Sequence, residues 1–270
     1  MTIDEKLALL KETIGSYGSL LVAYSGGVDS SLLAVIARDV LGERVACVLL
    51  DGPEVPRRAI ADAKETAADL GIPCEVITYP VMDVAGFREN SPDRCYHCRK
   101  GSARILTGRA RELGIARVAD GTNASDLGEH RPGVRAGTEE GILHPFLEAG
   151  ITKPEIREIA KRLGLPFWDK PSAACTASRI PYGEEITVGK LRRVEAAEEY
   201  LSSLGFTQLR VRSHGTIARI EVPDTEIERL VSLRTGITDR LRSLGFSYVT
   251  LDLRGYRSGS MDEVLPGPGD

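Results

Sequence analysis

Four apolar runs of strand length alternate with segments of helical periodicity through the first half of the chain, and this alternation restricts the fold more than any other feature. The runs are SLLVAY (19–24), RVACVLL (44–50), CEVITY (74–79) and ARVADG (116–121). Between them, DSSLLAVIARDVLG, PRRAIADAKETAADLG and RKGSARILTGRARELG carry apolar residues every three to four positions. Each closes on Gly, which ends a helix in the left-handed conformation without a Cβ clash. Strand, helix, strand in series predicts an α/β, Rossmann-like parallel sheet with helices on both faces. Cys47 and Cys74 fall inside predicted strands, where a thiol serves as a small buried hydrophobe, so neither is assigned chemistry.

From about residue 187 the pattern changes. A helix (TVGKLRRVEAAEEYLSSLG), two strands (QLRVRS, TIARIEV), one long helix (TEIERLVSLRTGITDRLRSLG) and a strand (SYVTLDL) predict a small α+β domain. The expected division is a nucleotide-binding domain over 1–184, which carries the cysteine ligands, and a C-terminal domain over 185–270. The closing EVLPGPGD is Pro/Gly-rich and expected to fray. No apolar stretch nears the roughly 20 residues that span a bilayer, and MTIDEKLALLKETIG reads as an amphipathic helix rather than an export signal, so the expected location is the cytoplasm. A net charge of −4 argues against a surface built to hold nucleic acid and favours a small-molecule substrate. Five cysteines, an odd number without an export signal, suit metal ligation, nucleophilic chemistry or burial better than a disulfide framework.

The first strand runs through AYSGGVDSS (23–31) straight into a helix. Gly26 and Gly27 remove side chains where backbone must close on an anion, and the helix start at Val28 offers unpaired N–H groups and a positive dipole end to phosphate. Ser25, Ser30 and Ser31 add hydroxyl donors. The carboxylate of Asp29 would repel a bare phosphate, so its presence implies Mg²⁺ between them. A plain strand-to-helix turn with Asp as N-cap is the competing reading. The Ser-Gly-Gly-Val-Asp-Ser sequence nevertheless matches the PP-loop of ATP pyrophosphatases residue for residue. It lacks the Lys of a Walker A loop, so the resemblance implies loss of pyrophosphate from ATP and transfer of AMP to a substrate oxygen rather than γ-phosphoryl transfer.

A second loop, DGTNASDLGEHRPG (120–133), follows the fourth strand, where ligands collect outside the carboxyl ends of a parallel sheet. Gly121 and Asn123 suit close approach to nucleotide, while Asp126, Glu129 and Arg131 are candidates to orient metal or substrate. A simple polar turn is the alternative.

Cys95 and Cys98 stand at the start of a predicted helix, where its dipole and Arg94, Arg99 and Lys100 favour thiolates. The pair alone is compatible with redox chemistry, zinc, an iron–sulfur cluster or accident. Cys175 lies in a non-periodic Pro/Gly-flanked stretch just before the domain boundary. Structural zinc normally takes four protein ligands, and His97 is poorly placed between the first two cysteines to supply the fourth. Three thiolates match a [4Fe–4S] cluster whose fourth iron has no protein ligand and can hold a transferable sulfide.

The stretches AYSGGVDSS, GTNASDLGEHRPG, HPFLEAGITKPEIREIA, WDKPSAACTASRIPYG and LDLRGYRSGSMDE, spread over nearly the whole chain, together resemble the LarE family of ATP-dependent sulfur transferases. That resemblance implies adenylation of the carboxylates of pyridinium-3,5-biscarboxylic acid mononucleotide and their conversion to thiocarboxylates, in the biosynthesis of the nickel-pincer nucleotide cofactor of lactate racemase, and a hexameric assembly. It implies ATP and Mg²⁺ as cofactors and leaves the sulfide source open. Some members use the cysteine at the position of Cys175 as a sacrificial sulfur donor and lack the upstream pair. Cys95 and Cys98 make this chain resemble the cluster-bearing branch, in which Cys95, Cys98 and Cys175 are iron ligands. The resemblance also implies that Arg210 and Arg212, alternate residues of one strand, grip the substrate phosphate in the C-terminal domain, and that Ser178 and Arg179 line the site beside Cys175. Trp168 is expected in the core rather than in a lid.

Rival readings are a PP-loop tRNA thiolation enzyme, which would need a basic face or an added RNA-binding domain, an amide-forming PP-loop ligase, which leaves the cysteines unexplained, and a non-catalytic nucleotide-binding module held by zinc.

Overall fold

The computed structural model describes residues 1–128, 132–171, 174–257 and 260–261. By compactness the chain forms two units, one of residues 1–84 and 95–173, the other of residues 85–94 and 174–270. The sequence expectation drew the line at 184/185, so Cys175, expected with the nucleotide half, falls in the second unit.

The first unit is built on strands β1 (Leu20–Tyr24), β2 (Val45–Asp51), β3 (Cys74–Thr78), β4 (Arg117–Ala119) and β5 (Ile142–Leu143), with helices α1 (Ile3–Ser16), α2 (Val28–Leu41), α3 (Arg57–Asp69), α4 (Arg94–Glu112), α5 (Pro132–Glu139), α6 (Pro145–Glu148) and α7 (Lys153–Arg162). All strand pairs are parallel, in the order β3-β2-β1-β4-β5. Successive residues of β1 face opposite ways, as the strand period requires. Leu20, Val22 and Tyr24 pack with Leu10, Ile14, Leu32, Ile156 and Ile159 on one face, while Leu21 joins Ala103, Leu106, Ala110 and Val118 on the other. Both faces are thereby covered, which is why these strands read as continuous apolar runs. The expected glycine stops are in place: Gly42, Gly71 and Gly114 all have positive φ. Cys47 is buried in β2 beside its register partner Cys74 in β3, and burial pushes the Cys47 thiol up to about 12.

Strand order reverses between β1 and β4, so the loops leaving their carboxyl ends flank a switch point. The Ser-Gly-Gly loop leaves β1 and the 120–128 loop leaves β4.

The second unit holds α8 (Val188–Ser203), β6 (Arg210–His214), β7 (Ile217–Glu221), α9 (Ile227–Ser232), α10 (Arg234–Ser243) and β8 (Tyr248–Leu251). β6 and β7 form an antiparallel hairpin, and β8 adds to β7 in parallel. Val211, Ala218 and Ile220 of the sheet pack against Ala197, Leu201, Ile237 and Leu241 of the helices. The single long helix expected over 225–245 is instead a short 3-10 turn, α9 and α10, broken at Leu233, whose φ of −94° and ψ of 7° leave the helical region.

Candidate active site

Gly26 is where the first loop depends on glycine. Its φ is +69°, and a Cβ there would stand 2.4 Å from Ala63 Cβ, so the backbone can lie against α3 only without a side chain. Gly27 occupies the N-cap of α2 and no side chain caps that helix, which leaves its first N–H groups turned to the loop. Ser30 ties the loop together: its Oγ accepts from Ser25 N at 3.1 Å and donates to Gly27 O at 3.3 Å. Val28 is buried, and Ser31 Oγ donates to Tyr24 Oη at 3.4 Å. The second loop closes on the first through Gly121, where a Cβ would meet Asp29 Cβ at 2.7 Å and Ser30 N at 3.0 Å. Asn123 and Asp126 shape that loop. Asn123 Oδ1 accepts from Ser125 N and Asp126 Oδ2 from Asn123 N, both at 3.0 Å. Glu129 and Arg131 lie outside the described residues.

Two lysines to which the sequence reading assigned no role stand on the loop. Lys153 Nζ donates to both oxygens of Asp29, at 2.7 and 2.5 Å, and Lys170 Nζ donates to Gly26 O at 3.0 Å. The 120–128 loop places the first of these: Ala124 N donates to Ile151 O and Ser125 Oγ accepts from Lys153 N, which fixes the start of α7. A signal for Lys153 existed, since a cation in the first turn of a helix opposes the helix dipole and calls for an acidic partner. Lys170 had no such signal. Asp29, assigned to Mg²⁺, therefore faces a lysine here. Glu54, at the carboxyl end of β2, is also buried, and burial raises its carboxyl pKa.

Cys95 and Cys98 lie three residues apart on the first turns of α4, hence on one helical face, Cys95 exposed and Cys98 half-buried. That turn is held from outside. Tyr79, which follows β3, donates to Cys98 O at 2.6 Å, and Arg99 donates to Asp120 at the end of β4. The cations expected beside the thiols have other partners: Arg94 bonds Asn90 and stacks on Tyr182, Arg99 pairs with Asp120, and Lys100 donates to Tyr96 Oη.

In the second unit, Cys175 is exposed and caps a 3-10 turn, Thr176–Arg179. Its carbonyl accepts from Ser178 Oγ at 2.8 Å and Arg179 Nη1 at 3.0 Å, and Arg179 is buried against Glu198 through bonds of 2.8 and 3.0 Å. Ser178 and Arg179 thus hold the cysteine's backbone. Arg212 is buried as well, with two bonds to Glu221 at 3.0 and 2.9 Å and one to Ser178 O at 2.8 Å. Arg210 differs, bonding Leu209 O at 2.7 Å and reaching Tyr256 Oη at 3.5 Å. Burial, with the nearby Arg179 charge, lowers its pKa. Trp168, expected in the core, is 37% exposed under the Lys161 ammonium.

Among the described residues, no group of three or more His, Cys, Asp or Glu side chains stands placed to hold a metal ion. Nor is any described helix long and apolar enough to cross a membrane.

A parallel sheet with Ser-Gly-Gly-Val-Asp-Ser between its first strand and helix defines a PP-loop, ATP-using enzyme. The NAD synthase family model matches residues 3–105. An uncharacterised protein of Synechocystis sp. is 42% identical over 97% of this chain and 99% of its own. The pyridinium-3,5-bisthiocarboxylic acid mononucleotide synthase of Lactiplantibacillus plantarum is 37% identical over 98% of this chain and 96% of its own. A tRNA-specific 2-thiouridylase of Azorhizobium caulinodans is 32% identical over 66% of this chain and 55% of its own. The chain belongs to the LarE family of ATP-dependent sulfur transferases.

Proposed function

We propose that the chain converts carboxylates of pyridinium-3,5-biscarboxylic acid mononucleotide to thiocarboxylates, and that it does so in repeated turnovers. A substrate carboxylate oxygen attacks the α-phosphorus of ATP and pyrophosphate leaves. Hydrosulfide then adds to the acyl carbon, AMP departs with the C–O bond, and a proton is released. The observation that carries this reading is the match to the synthase over both units from end to end.

The chain's own groups divide the work. Gly26, Gly27 and the start of α2 cradle phosphate, Ser25 and Ser30 donate hydroxyls, and Lys153 and Lys170 neutralise charge as pyrophosphate forms. Asp29 would hold Mg²⁺, which would compensate the charge of the triphosphate, leaving Lys153 to turn from Asp29 to phosphate oxygen. Asn123 and Asp126 keep the second loop against the nucleotide. In the second unit, Arg210 and Arg212 take the substrate phosphate. Arg210 is the stronger support, because among the described residues its guanidinium has no bidentate carboxylate, where Arg212 has Glu221.

The donor chemistry fits a cluster held by Cys95, Cys98 and Cys175: three thiols outside the strands, none fully buried, two of them on one helical face. When bound, a [4Fe–4S] cluster with one open iron supplies sulfide. By family likeness the protein assembles as a hexamer through its C-terminal domain, binds no nucleic acid or membrane, and works in the cytoplasm.

The test is anaerobic reconstitution with iron and sulfide, then assay with the pyridinium mononucleotide, ATP, Mg²⁺ and sulfide, counting thiocarboxylates and iron per chain. About four irons and many products per chain are expected. One product or fewer, with Cys175 converted to dehydroalanine, would show the sacrificial route instead, and thiolation of tRNA but not of the mononucleotide would replace the substrate.

A further inference from the structure

Behind the cysteine pair, the first unit brings together a part-exposed Arg and a buried Asp and His that phosphate binding does not require. Arg99, the residue after Cys98, donates to one oxygen of Asp120. The other oxygen faces His144 Nδ1 at 2.8 Å and accepts from Thr122 N at 2.9 Å. An ionised carboxylate only accepts, so Nδ1 carries a proton. His144 Nε2 lies 3.0 Å from Thr138 Oγ1 on α5. Asp120 and His144 are each 6% exposed.

Burying Asp120 and His144 beside a part-exposed Arg99 is an inefficient source of stability, since their desolvation cancels much of their attraction and an apolar set of similar volume does as well. What the set provides is direction. Asp120 is followed by Gly121, whose backbone lies against Asp29 and Ser30 of the nucleotide loop. A short path therefore joins the two halves of the chemistry: the peptide bond from Cys98 to Arg99, the ion pair to Asp120, the peptide bond to Gly121, and van der Waals contact with Asp29. Tyr79 holds the same cysteine turn through Cys98 O.

We propose that Arg99, seated by Asp120 and His144, is a positioning residue that sets the Cys95–Cys98 turn relative to Asp29 of the nucleotide loop. What the register serves, delivery of sulfur to the adenylated carboxylate, rests on the function proposed above. The placement of the turn does not.

The experiment compares full-length wild type, Arg99→Gln, Arg99→Lys, His144→Leu and His144→Asn, the last of which keeps an N–H for Asp120. Three quantities are measured: substrate-dependent ATP–pyrophosphate exchange, kcat and KM for thiocarboxylate formation after reconstitution, and alkylation of Cys98 by iodoacetamide in the metal-free protein, followed by peptide mass. Arg99→Gln and His144→Leu are expected to lower kcat for sulfur transfer roughly 10–100-fold with KM unchanged. Both should also speed Cys98 alkylation about tenfold as the turn opens, with pyrophosphate exchange within about twofold of wild type. Arg99→Lys and His144→Asn should recover most of the loss. Unchanged alkylation and kcat in Arg99→Gln would overturn the proposal, and so would a parallel fall in exchange and sulfur transfer, which marks a structural role alone. Should Arg99→Gln or His144→Leu fail to fold, Arg99→Lys against His144→Asn still reads both quantities. A wild type that makes no thiocarboxylate, while the variants still expose Cys98, would refute the proposed function and leave the positioning role standing.

Discussion

Asp120 shows at the scale of one residue how partners outweigh burial. Burial alone would raise its carboxyl pKa. The bond to His144 and the charge of Arg99 overcome that and hold the group at about 2, below the ordinary 3.8. A folded-state value below the unfolded one stabilises the fold wherever the unfolded carboxyl is ionised. The contribution, on the order of 2 kcal/mol, is thus complete above about pH 4 and disappears as pH falls toward 2. Asp120→Asn is expected to lower the urea midpoint clearly at pH 7, with the gap to wild type narrowing below about pH 4 and closing as pH falls through about 2; a gap of constant size would assign the loss to shape instead of charge. Sequence reading reached Ser25, Gly26 and Asp29 because their neighbours in the chain are their neighbours in space. It passed over Lys170, whose partner Gly26 O lies 144 positions away, and local pattern carries no record of such a pair.

Elements were legible where their signal is local. Strands β1 and β2 are apolar runs because both faces of the sheet are covered there, while the edge strand β3 is part-exposed, and Gly42, Gly71 and Gly114 mark helix ends by a conformation other residues resist. The helix over 225–245 misled because its apolar spacing survives the break at Leu233, so periodicity alone sees one element. Glycines within elements and loops differ in the same physical way. Gly121→Ala would drive a Cβ to 2.7 Å from Asp29 Cβ and 3.0 Å from Ser30 N, atoms with little freedom to retreat. It is expected to weaken ATP binding at least about tenfold by calorimetric titration, as a displaced loop loses its geometry. Gly108 in α4 has nothing within 4 Å of a built Cβ, so Gly108→Ala should raise stability by about 0.5–1 kcal/mol in urea unfolding. Opposite outcomes at the two sites would show that neither loop closure nor helix propensity governs them.

Across the whole molecule, the proposed function assigns its two chemical steps to different residues, and they should separate. Asp29→Ala is expected to stop AMP formation while iron content stays at the wild-type level, because its carboxylate serves the nucleotide. Cys95→Ala and Cys98→Ala should lose iron and multiple turnover yet keep pyrophosphate exchange, since the nucleotide loop is closed by Gly121 and Lys153 without either thiol. Full turnover in either cysteine variant would end the cluster reading.

The sequence by itself determined the parallel α/β unit, the phosphate-binding turn, the positions of the three candidate thiols and the family, because strand period, glycine conformation and unbroken motif spacing are properties of neighbouring residues. Tertiary structure alone decided that Lys153 faces Asp29, that Glu221 occupies the guanidinium of Arg212, and that Arg99 pairs with Asp120, whose other oxygen faces His144. Each pairing is a contact between two different elements, so no pattern within one element records it.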